Sequence, residues 1–407
     1  MFKKRIYLDY ASLTPIDEGV LRTMKQYSDP MYANPSSWYS EGVLAKEALV
    51  TARKTVAEYL HAHPDDITFT SGGTESNNLA LLGSIERLRN TGLEYDSMHV
   101  LISAIEHSSV RECANHLSEK GVRVEVIRVN SDGAVDFDSL KKQIRPDTVL
   151  ISVMTVNNEI GTVEPIREIA KMVRQAREKY AETSAFAYQD VKYPLLHTDA
   201  AQGLYQDLNV EKLGVDMLTL DSSKVFGPRG IGALYKKRSL PISPVMYGGG
   251  QEKGLRSGTE NLPGVMGFAE AVNIVSQTRE AESVRLISLK KLFMNELLRI
   301  NKDIKVNGER AKGDERDTNF DGAVSPHILN VSIPGIESEF FVMELDAHGI
   351  AASTKSSCLR DEDESYVLKT IGANSKNSVR FSFGRWSTER EVMKALKIIK
   401  ELLGRIR

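Results

Sequence analysis

Cysteine is scarce in this chain of 407 residues, which contains only Cys113 and Cys358. Two thiols so far apart in the sequence are too few for the disulfide framework of a small secreted domain, and their spacing does not match a metal site. The scarcity of cysteine therefore favours a reducing compartment, in which a free thiol persists.

Long apolar runs and a net charge of one sign are absent as well. No run of about 18 apolar residues occurs, and no apolar segment follows the basic N-terminal residues as it would in a signal peptide. The formal net charge is −2, with acidic and basic residues mixed along the chain. The sequence thus predicts no basic face for nucleic acid and no cationic amphipathic helix for a membrane. We expect a cytoplasmic protein that acts on a small metabolite or a protein partner.

The arrangement of apolar segments indicates the fold class. Segments rich in β-forming residues, such as "DDITFT", "HVLIS" and "TVLISVMTV", alternate with helical patterns such as "TESNNLALLGSIERLRN". This order predicts an α/β fold with a mostly parallel sheet and helices on both faces. Longer helical patterns, such as "RLISLKKLFMNELLRI", follow from about residue 270 and predict a smaller α+β domain. We assign residues 15–265 to the large domain, and residues 1–14 and 266–407 to the small one.

The segment "DDITFTSGGTESNNLALLG" predicts a strand, a glycine turn and a helix that begins near Thr74 and Glu75. Glycine lets the backbone approach an anion closely, and a helix N-terminus offers unpaired N–H groups. The pattern is typical of a phosphate cup, although an ordinary capping turn explains it equally well. It is not a Walker loop, because no Lys-Ser/Thr pair follows the glycines.

Two further residues stand at the ends of later predicted strands. Asp199, in "HTDAAQ", lies where parallel strands present ligand-binding groups, and it suits either a helix cap or a partner for a protonated ring nitrogen. Lys224, in "LDSSKVFGPRG", follows the next strand among hydroxyl and glycine residues. That setting suits a partly desolvated Schiff-base amine better than a solvated surface lysine. A phosphate cup, an acid and a lysine in this order are what pyridoxal phosphate requires.

At this point a family resemblance emerges over nearly the whole chain. The sequence resembles the cysteine desulfurases of the class-V aminotransferase family, of the iron–sulfur-assembly type. The resemblance rests on ten segments in the family's order: "YLDYASLTP", "ANPSSWYSEG", "FTSGGTESNNLA", "EHSSV", "VNNEIGTVEPI", "HTDAAQ", "SSKVFGPRGIGALY", "GGGQEKGLRSGTEN", "SYVLKTIG" and "VRFSFGRWSTERE".

The resemblance implies a fold-type I pyridoxal-phosphate enzyme with a seven-stranded sheet in its large domain. Such an enzyme converts L-cysteine to L-alanine and transfers the sulfur, as a persulfide, to a cysteine of its own. It also implies a homodimer that delivers sulfur to an acceptor protein, either an iron–sulfur scaffold or a tRNA-thiolation carrier.

The resemblance further implies a role for each residue that binds the cofactor ring. Lys224 forms the Schiff base, and Asp199 pairs with the ring nitrogen. Gln202 binds the phenolic oxygen, and His107 stacks on the ring, although a lone histidine in "AIEHSSV" is otherwise an ordinary helix cap.

The other implied roles concern the phosphate and the substrate. Gly73 and Thr74 hold the phosphate from one subunit, and Thr259 completes that site from the other subunit. Asn158 and Arg380 hold the carboxylate of the substrate, the arginine through a bidentate fork.

Cys358 falls where the family's sulfur-accepting cysteine lies, in the polar segment "STKSSCLRDEDESY". Lys355 and Arg360 favour its thiolate, whereas the acidic residues that follow oppose it, so the sequence does not predict the direction of its pKa shift. Cys113 lies in a helical pattern, and we expect it to be structural.

Two positions of the phosphate site depart from the family pattern. Asp221 and Ser223 stand where a serine and a histidine are usual. Both are still predicted to belong to the cofactor-binding site. A serine can replace a neutral hydrogen bond to phosphate, whereas an aspartate beside a phosphate dianion is repulsive unless it turns away, so the sequence leaves the phosphate affinity open. The segment after Cys358 is also more acidic and about one residue shorter than usual, which bears on the choice of acceptor.

Two other functions fit the same sequence. A selenocysteine lyase or an aminotransferase shares the fold, although a cysteine in a polar loop disfavours a plain aminotransferase. A non-enzymatic sulfur-relay scaffold is disfavoured because Lys224, Asp199, His107 and Arg380 are all retained.

Overall fold

The structure is a computed structural model that describes residues 5–181, 191–308, 324–354 and 364–406. In these ranges the strands are β1 (Ile6–Tyr7), β2 (Ile67–Thr70), β3 (His99–Ser103), β4 (Arg123–Ile127), β5 (Thr148–Ser152), β6 (Leu195–Asp199), β7 (Met217–Asp221), β8 (Gly232–Lys236), β9 (Lys305–Asn307), β10 (Ile328–Ser332), β11 (Ile350–Ala351) and β12 (Ser378–Ser382). The helices are α1 (Glu18–Ser28), α2 (Ser40–Leu60), α3 (Gly73–Arg89), α4 (Ser108–Glu119), α5 (Phe137–Gln143), α6 (Ile166–Lys179), α7 (Val210–Leu213), α8 (Leu262–Ile300), α9 (Ser338–Ala347), α10 (Tyr366–Thr370) and α11 (Glu389–Ile406). None of the helices in the described ranges is both long and apolar enough to cross a bilayer.

The largest sheet has seven strands in the order β2-β8-β7-β6-β5-β3-β4. Strands β3 to β7 are parallel, and β8 is antiparallel to both β7 and β2. Strands β3, β5 and β6 are buried along their whole length, because helices cover both faces of the sheet. The predicted α/β fold with a mostly parallel seven-stranded sheet is confirmed.

The direction of the strands brings three predicted features to one edge of this sheet. Strands β6 and β7 are parallel neighbours, so their last residues, Asp199 and Asp221, lie at the same edge. Strand β2 runs the same way as β7, since both are antiparallel to β8. The glycine turn after β2 therefore lies at that edge too, where open α/β sheets bind ligands.

A second hydrophobic core surrounds a three-stranded antiparallel sheet of order β12-β10-β9. Helix α8 packs against both cores: residues up to Val275 contribute to the first, and residues from Leu286 onward contribute to the second. The segment "RLISLKKLFMNELLRI" is thus the C-terminal part of a much longer helix. The domain boundary after residue 265 stays a prediction, and the change in packing of α8 lies between Val275 and Leu286.

Candidate active site

A cavity of about 240 Å³ opens at this edge of the seven-stranded sheet. Its walls come from segments far apart in the chain, and of the predicted site residues that the structure describes, all except Ser223 and Thr259 line it. The predicted residues that line the cavity are Gly73, Thr74, His107, Asn158, Asp199, Gln202, Asp221, Lys224 and Arg380.

Asp199 is held in a fixed orientation at the end of β6. It is only 5% exposed, and its Oδ2 accepts a hydrogen bond of 2.7 Å from Nδ2 of Asn77, while its Oδ1 accepts one of 2.9 Å from the backbone N–H of Ala201. The sequence prediction missed Asn77. The signal was an asparagine inside an apolar helix, where the residue is unfavourable unless its amide has a partner.

A chain of hydrogen bonds connects Asp199 to His107. Asn77 also donates to Oγ of Ser109 at 2.8 Å, and the Oγ of Ser109 lies 2.9 Å from Nδ1 of His107. The Nδ1 atom accepts from the backbone N–H of Ser109, so that His107 is the N-cap of α4. Because Nδ1 is the acceptor, the proton of the neutral ring is on Nε2. The histidine therefore both caps a helix and lines the cavity.

Lys224 ends a short 3-10 helix, Ser222–Lys224, directly after β7. Its Nζ donates to the carbonyl oxygen of Ser12, a residue that the sequence prediction did not single out. The backbone beside the lysine is held by Thr14, whose N–H and hydroxyl both bond the carbonyl oxygen of Ser223, at 3.0 and 2.9 Å. The N-terminal segment thus fixes the turn that carries the lysine.

Gln202 is buried, and its side-chain amide has a defined orientation. Its Nε2 donates to the carbonyl oxygen of Ala11 at 2.7 Å, and its Oε1 lies 3.4 Å from Nε2 of His327. Burial lowers the pKa of His327 to about 3, with Lys290 and Arg380 adding to the shift, so the ring is neutral. Its Nε2–H is then a donor to Oε1, which leaves the second hydrogen on Nε2 of Gln202, the one not bonded to Ala11, as the donor available to the cavity.

Arg380 lies in the middle of β12 and is 1% exposed. Its Nη1 donates to the carbonyl oxygen of Asn158 at 2.7 Å, and its Nη2 donates to Oδ1 of Asp9 at 2.8 Å. The Nε atom is buried without a hydrogen-bond partner among the described residues. Asp9 was not predicted, and a substrate carboxylate would share the guanidinium with it.

The glycine turn and Asp221 together form the predicted phosphate cup. Gly72 has a φ of 149°, which residues with side chains rarely adopt, and it turns the chain from β2 into α3. Asp221 does not turn away from the cup, because its Oδ2 accepts from the N–H of Gly73 at 3.0 Å. Its Oδ1 accepts from the N–H and the hydroxyl of Ser223, at 2.8 and 2.6 Å. The hydroxyl predicted to bind phosphate is thus bonded to a carboxylate.

Thr259 is exposed and does not line the cavity of its own chain.

Cys358 lies outside the described residues. The described residues that come before position 355 and after position 363 are attached beside the cavity. Ser353 pairs through its backbone with Arg380, and the hydroxyl of Ser365 donates to Oε2 of Glu159 at 2.6 Å.

Comparisons with known proteins agree with this arrangement. The family model for aminotransferase class-V matches residues 6–395. Cysteine desulfurase IscS 1 of Archaeoglobus fulgidus is 37% identical over 406 residues, which cover 98% of this chain and 97% of that protein. A solved structure named NifS-like protein has a TM-score of 0.86 and 30% identity, covering 98% of this chain and all of that one.

A second solved structure, named SspA in complex with cysteine, has a TM-score of 0.74 and 30% identity, covering 95% of this chain and 100% of that one. Both the family match and the similarity to relatives extend over nearly the whole chain. The chain therefore belongs to the aminotransferase class-V family, among its cysteine desulfurases.

Proposed function

We propose that this protein uses pyridoxal 5'-phosphate to convert L-cysteine to L-alanine and transfers the sulfur to Cys358 as a persulfide. The observation that carries the proposal is the convergence of Lys224, Asp199, Gln202 and His107 on one cavity that Arg380 also lines. An amine, a buried acid, an amide donor and a ring face are the groups that a pyridoxal ring needs.

The residues present fit the ring of this cofactor. Asp199 is an acceptor for a protonated ring nitrogen, since Asn77 and the N–H of Ala201 fix its carboxylate at the wall of the cavity. Gln202 would donate to the phenolic oxygen, and Lys224 would provide the amine that joins the carbonyl carbon. The phosphate end fits less well, because Asp221 is bonded to the helix N-terminus there.

When bound, pyridoxal phosphate supplies an electron sink for the charge that develops at Cα of the substrate. Nζ of Lys224 is the base that removes the Cα proton, and the turn that carries it is held by Thr14. Asp199 keeps a proton on the ring nitrogen. Arg380 binds the α-carboxylate, and the carbonyl of Asn158 aligns its guanidinium.

The sulfur transfer is a balanced exchange. The thiolate of Cys358 attacks the sulfur of the substrate, an S–S bond forms as the C–S bond breaks, and the released carbon skeleton takes up a proton to leave as alanine. One thiol and one cysteine thus give one persulfide and one alanine. The attachment of Ser353 and Ser365 beside the cavity supports this role for the segment between them.

We assign the persulfide to a protein acceptor, either an iron–sulfur scaffold or a tRNA-thiolation carrier. The formal net charge is −2, and acidic and basic residues are mixed along the chain. This distribution of charge supports a cytoplasmic protein that binds neither nucleic acid nor a membrane surface.

The proposal is tested by mass spectrometry of the purified protein after addition of L-cysteine. We expect alanine in the medium and one added sulfur on the peptide that contains Cys358. Selenocysteine is offered in a parallel reaction, and turnover of selenocysteine alone would identify a lyase of that substrate instead. Absence of alanine with either substrate would contradict the proposed function.

We also propose a homodimer in which Thr259 completes the phosphate site of the partner subunit. Tyr247 is 80% exposed, and its neighbour Met246 pairs with Arg256 in the loop that carries Thr259. Arg256 donates to Glu75 in the first turn of α3 at 3.0 Å. The loop therefore lies beside the cup from outside, and three consecutive apolar residues next to it, Val245, Met246 and Tyr247, are exposed and accessible to a partner subunit.

Replacement of Thr259 by valine is expected to weaken the binding of pyridoxal phosphate by about ten- to a hundredfold. The reason is the loss of one hydrogen bond to a charged phosphate, which contributes roughly 1.5–3 kcal/mol. Equilibrium titration of the cofactor measures the effect, and sedimentation measures the oligomeric state. Thr51→Val is the matched control, since the hydroxyl of Thr51 is exposed and bonds only the carbonyl of Glu47 in its own helix. A monomer that retains cofactor would contradict the cross-subunit role.

A further inference from the structure

Asp221 occupies the position at the helix N-terminus where an anion would bind. Its two carboxylate oxygens accept three hydrogen bonds, from the N–H of Gly73 and from the N–H and hydroxyl of Ser223. The Gly73 donor belongs to the helix start that the sequence pattern assigns to phosphate, and the Ser223 donors belong to the short helix that follows β7. The cup thus already contains an acceptor of its own.

The glycines of the turn are shaped around this carboxylate. A Cβ atom at Gly73 would lie 3.2 Å from Oδ2 of Asp221, and one at Gly72 would lie 3.6 Å from it. A side chain at Gly73 would therefore crowd the carboxylate. The close approach of the backbone, which a phosphate site also needs, serves here to bring an N–H group to Asp221.

The charge balance of the cup is also unusual. The first turn of α3 carries a second acid, Glu75, whose Oε2 accepts from the N–H of Ser71 and whose Oε1 accepts from Arg256. A helix N-terminus carries the equivalent of about half a positive charge. Asp221 alone outweighs it, since Glu75 is paired with Arg256. A phosphate dianion at this position would meet a carboxylate that already accepts from Gly73 and Ser223.

A neutral hydroxymethyl group suits the same position better. Its O–H donates, and a carboxylate oxygen accepts, so Asp221 complements an alcohol and opposes a phosphate. The remaining part of the cavity contains Asp199, Gln202 and Lys224, the residues assigned to the ring. Their contacts to the ring would be the same with or without a phosphate group.

We propose that Asp221 is a specificity-determining residue that acts as an internal anion of the phosphate cup. It reduces the preference of the site for pyridoxal phosphate over unphosphorylated pyridoxal. The inference rests on the proposed function, because it assumes that the cavity binds a pyridoxal ring. It extends that function by assigning to the ring, and not to the phosphate, most of the affinity for the cofactor.

The test is equilibrium binding of two probes, pyridoxal phosphate and pyridoxal, to cofactor-depleted protein, followed through the visible absorption of the bound chromophore. The dissociation constant of each probe is compared between the wild type and the variants. Any difference between the two probes in free solution therefore does not affect the comparison. Asp221→Asn removes the charge and keeps an oxygen that accepts from Gly73, and Asp221→Ser removes the carboxyl group altogether. Asp138→Asn is the matched control, since Asp138 is an exposed acid in the first turn of α5 and does not line the cavity.

We expect the wild-type protein to bind both probes. Asp221→Asn and Asp221→Ser should each bind pyridoxal phosphate about tenfold or more tightly than the wild type, with less than about a threefold change for pyridoxal. Asp138→Asn should match the wild type. The loss in Thr259→Val should be confined to the phosphorylated probe.

Two outcomes would overturn the inference, and they differ in what else they affect. An affinity for pyridoxal phosphate that is the same, within about threefold, in the wild type and in both Asp221 variants would show that phosphate displaces Asp221 without cost, and the proposed function would stand. Binding of neither probe by the wild type or any variant would overturn the proposed function as well. If one Asp221 variant does not fold, as judged by circular dichroism, the other decides the result.

Discussion

Replacement of Lys224 by alanine is expected to lower the rate of alanine formation from cysteine by at least about a thousandfold and to remove the visible absorption of protein-bound cofactor. Lys224 provides both the amine that joins the cofactor and the base that removes the Cα proton, so its loss removes two functions at once. Turnover is measured as alanine released, and cofactor attachment is measured by absorbance.

Lys236 provides a matched control for this substitution. It stands at the end of β8, and burial lowers its pKa, but its Nζ donates to the carbonyl oxygens of Leu240 and Lys237, and it does not line the cavity. Lys236→Ala should retain both the absorption and the activity. Full activity in Lys224→Ala would refute the assignment of the lysine.

Replacement of Cys358 by serine is expected to leave the cofactor bound and to abolish sulfide release in the presence of a reductant. A serine hydroxyl is not ionised at neutral pH and cannot accept sulfur, so the reaction stops before transfer. Sulfide is measured colorimetrically, and the peptide that contains residue 358 is examined for added mass.

Cys113 is the natural control for the second thiol. It lies in α4 and is buried in an apolar cluster, and burial raises the pKa of its thiol to about 12, so it is not a thiolate at neutral pH. Cys113→Ser should keep wild-type sulfide release. Burial of a hydroxyl in that cluster should lower the free energy of unfolding by about 1–3 kcal/mol, which denaturant titration measures. Sulfide release that depends on Cys113 and not on Cys358 would reverse the assignment.

Helix α8 shows how far the pattern of apolar residues predicts the fold. Its C-terminal part was predicted from its amphipathic pattern, whereas its N-terminal part, which begins at Leu262, was not. The N-terminal part is buried on several sides against the first core, so it shows little alternation of apolar and polar residues. An amphipathic pattern appears where a helix is buried on one side, so it does not mark a helix segment that is buried on several sides.

The sequence by itself determined the family and the α/β fold, and it placed the glycine turn, Asp199 and Lys224 at the ends of strands. It could do so because the signals are local. A strand, a glycine turn and a helix start are contiguous, and Asp199 and Lys224 each stand at or just after the end of a strand. The parallel order of the strands then brings these ends together.

Only the tertiary structure decided how these groups are held and which way they face. Asn77 orients Asp199, and Asp9 shares the guanidinium of Arg380, through contacts between residues that are distant in the sequence. The direction of Asp221 depends on its side-chain rotamer and on the N–H of Gly73, which comes from the turn after another strand. Composition and spacing carry no information about a rotamer, and for this reason the internal anion in the phosphate cup became visible only in three dimensions.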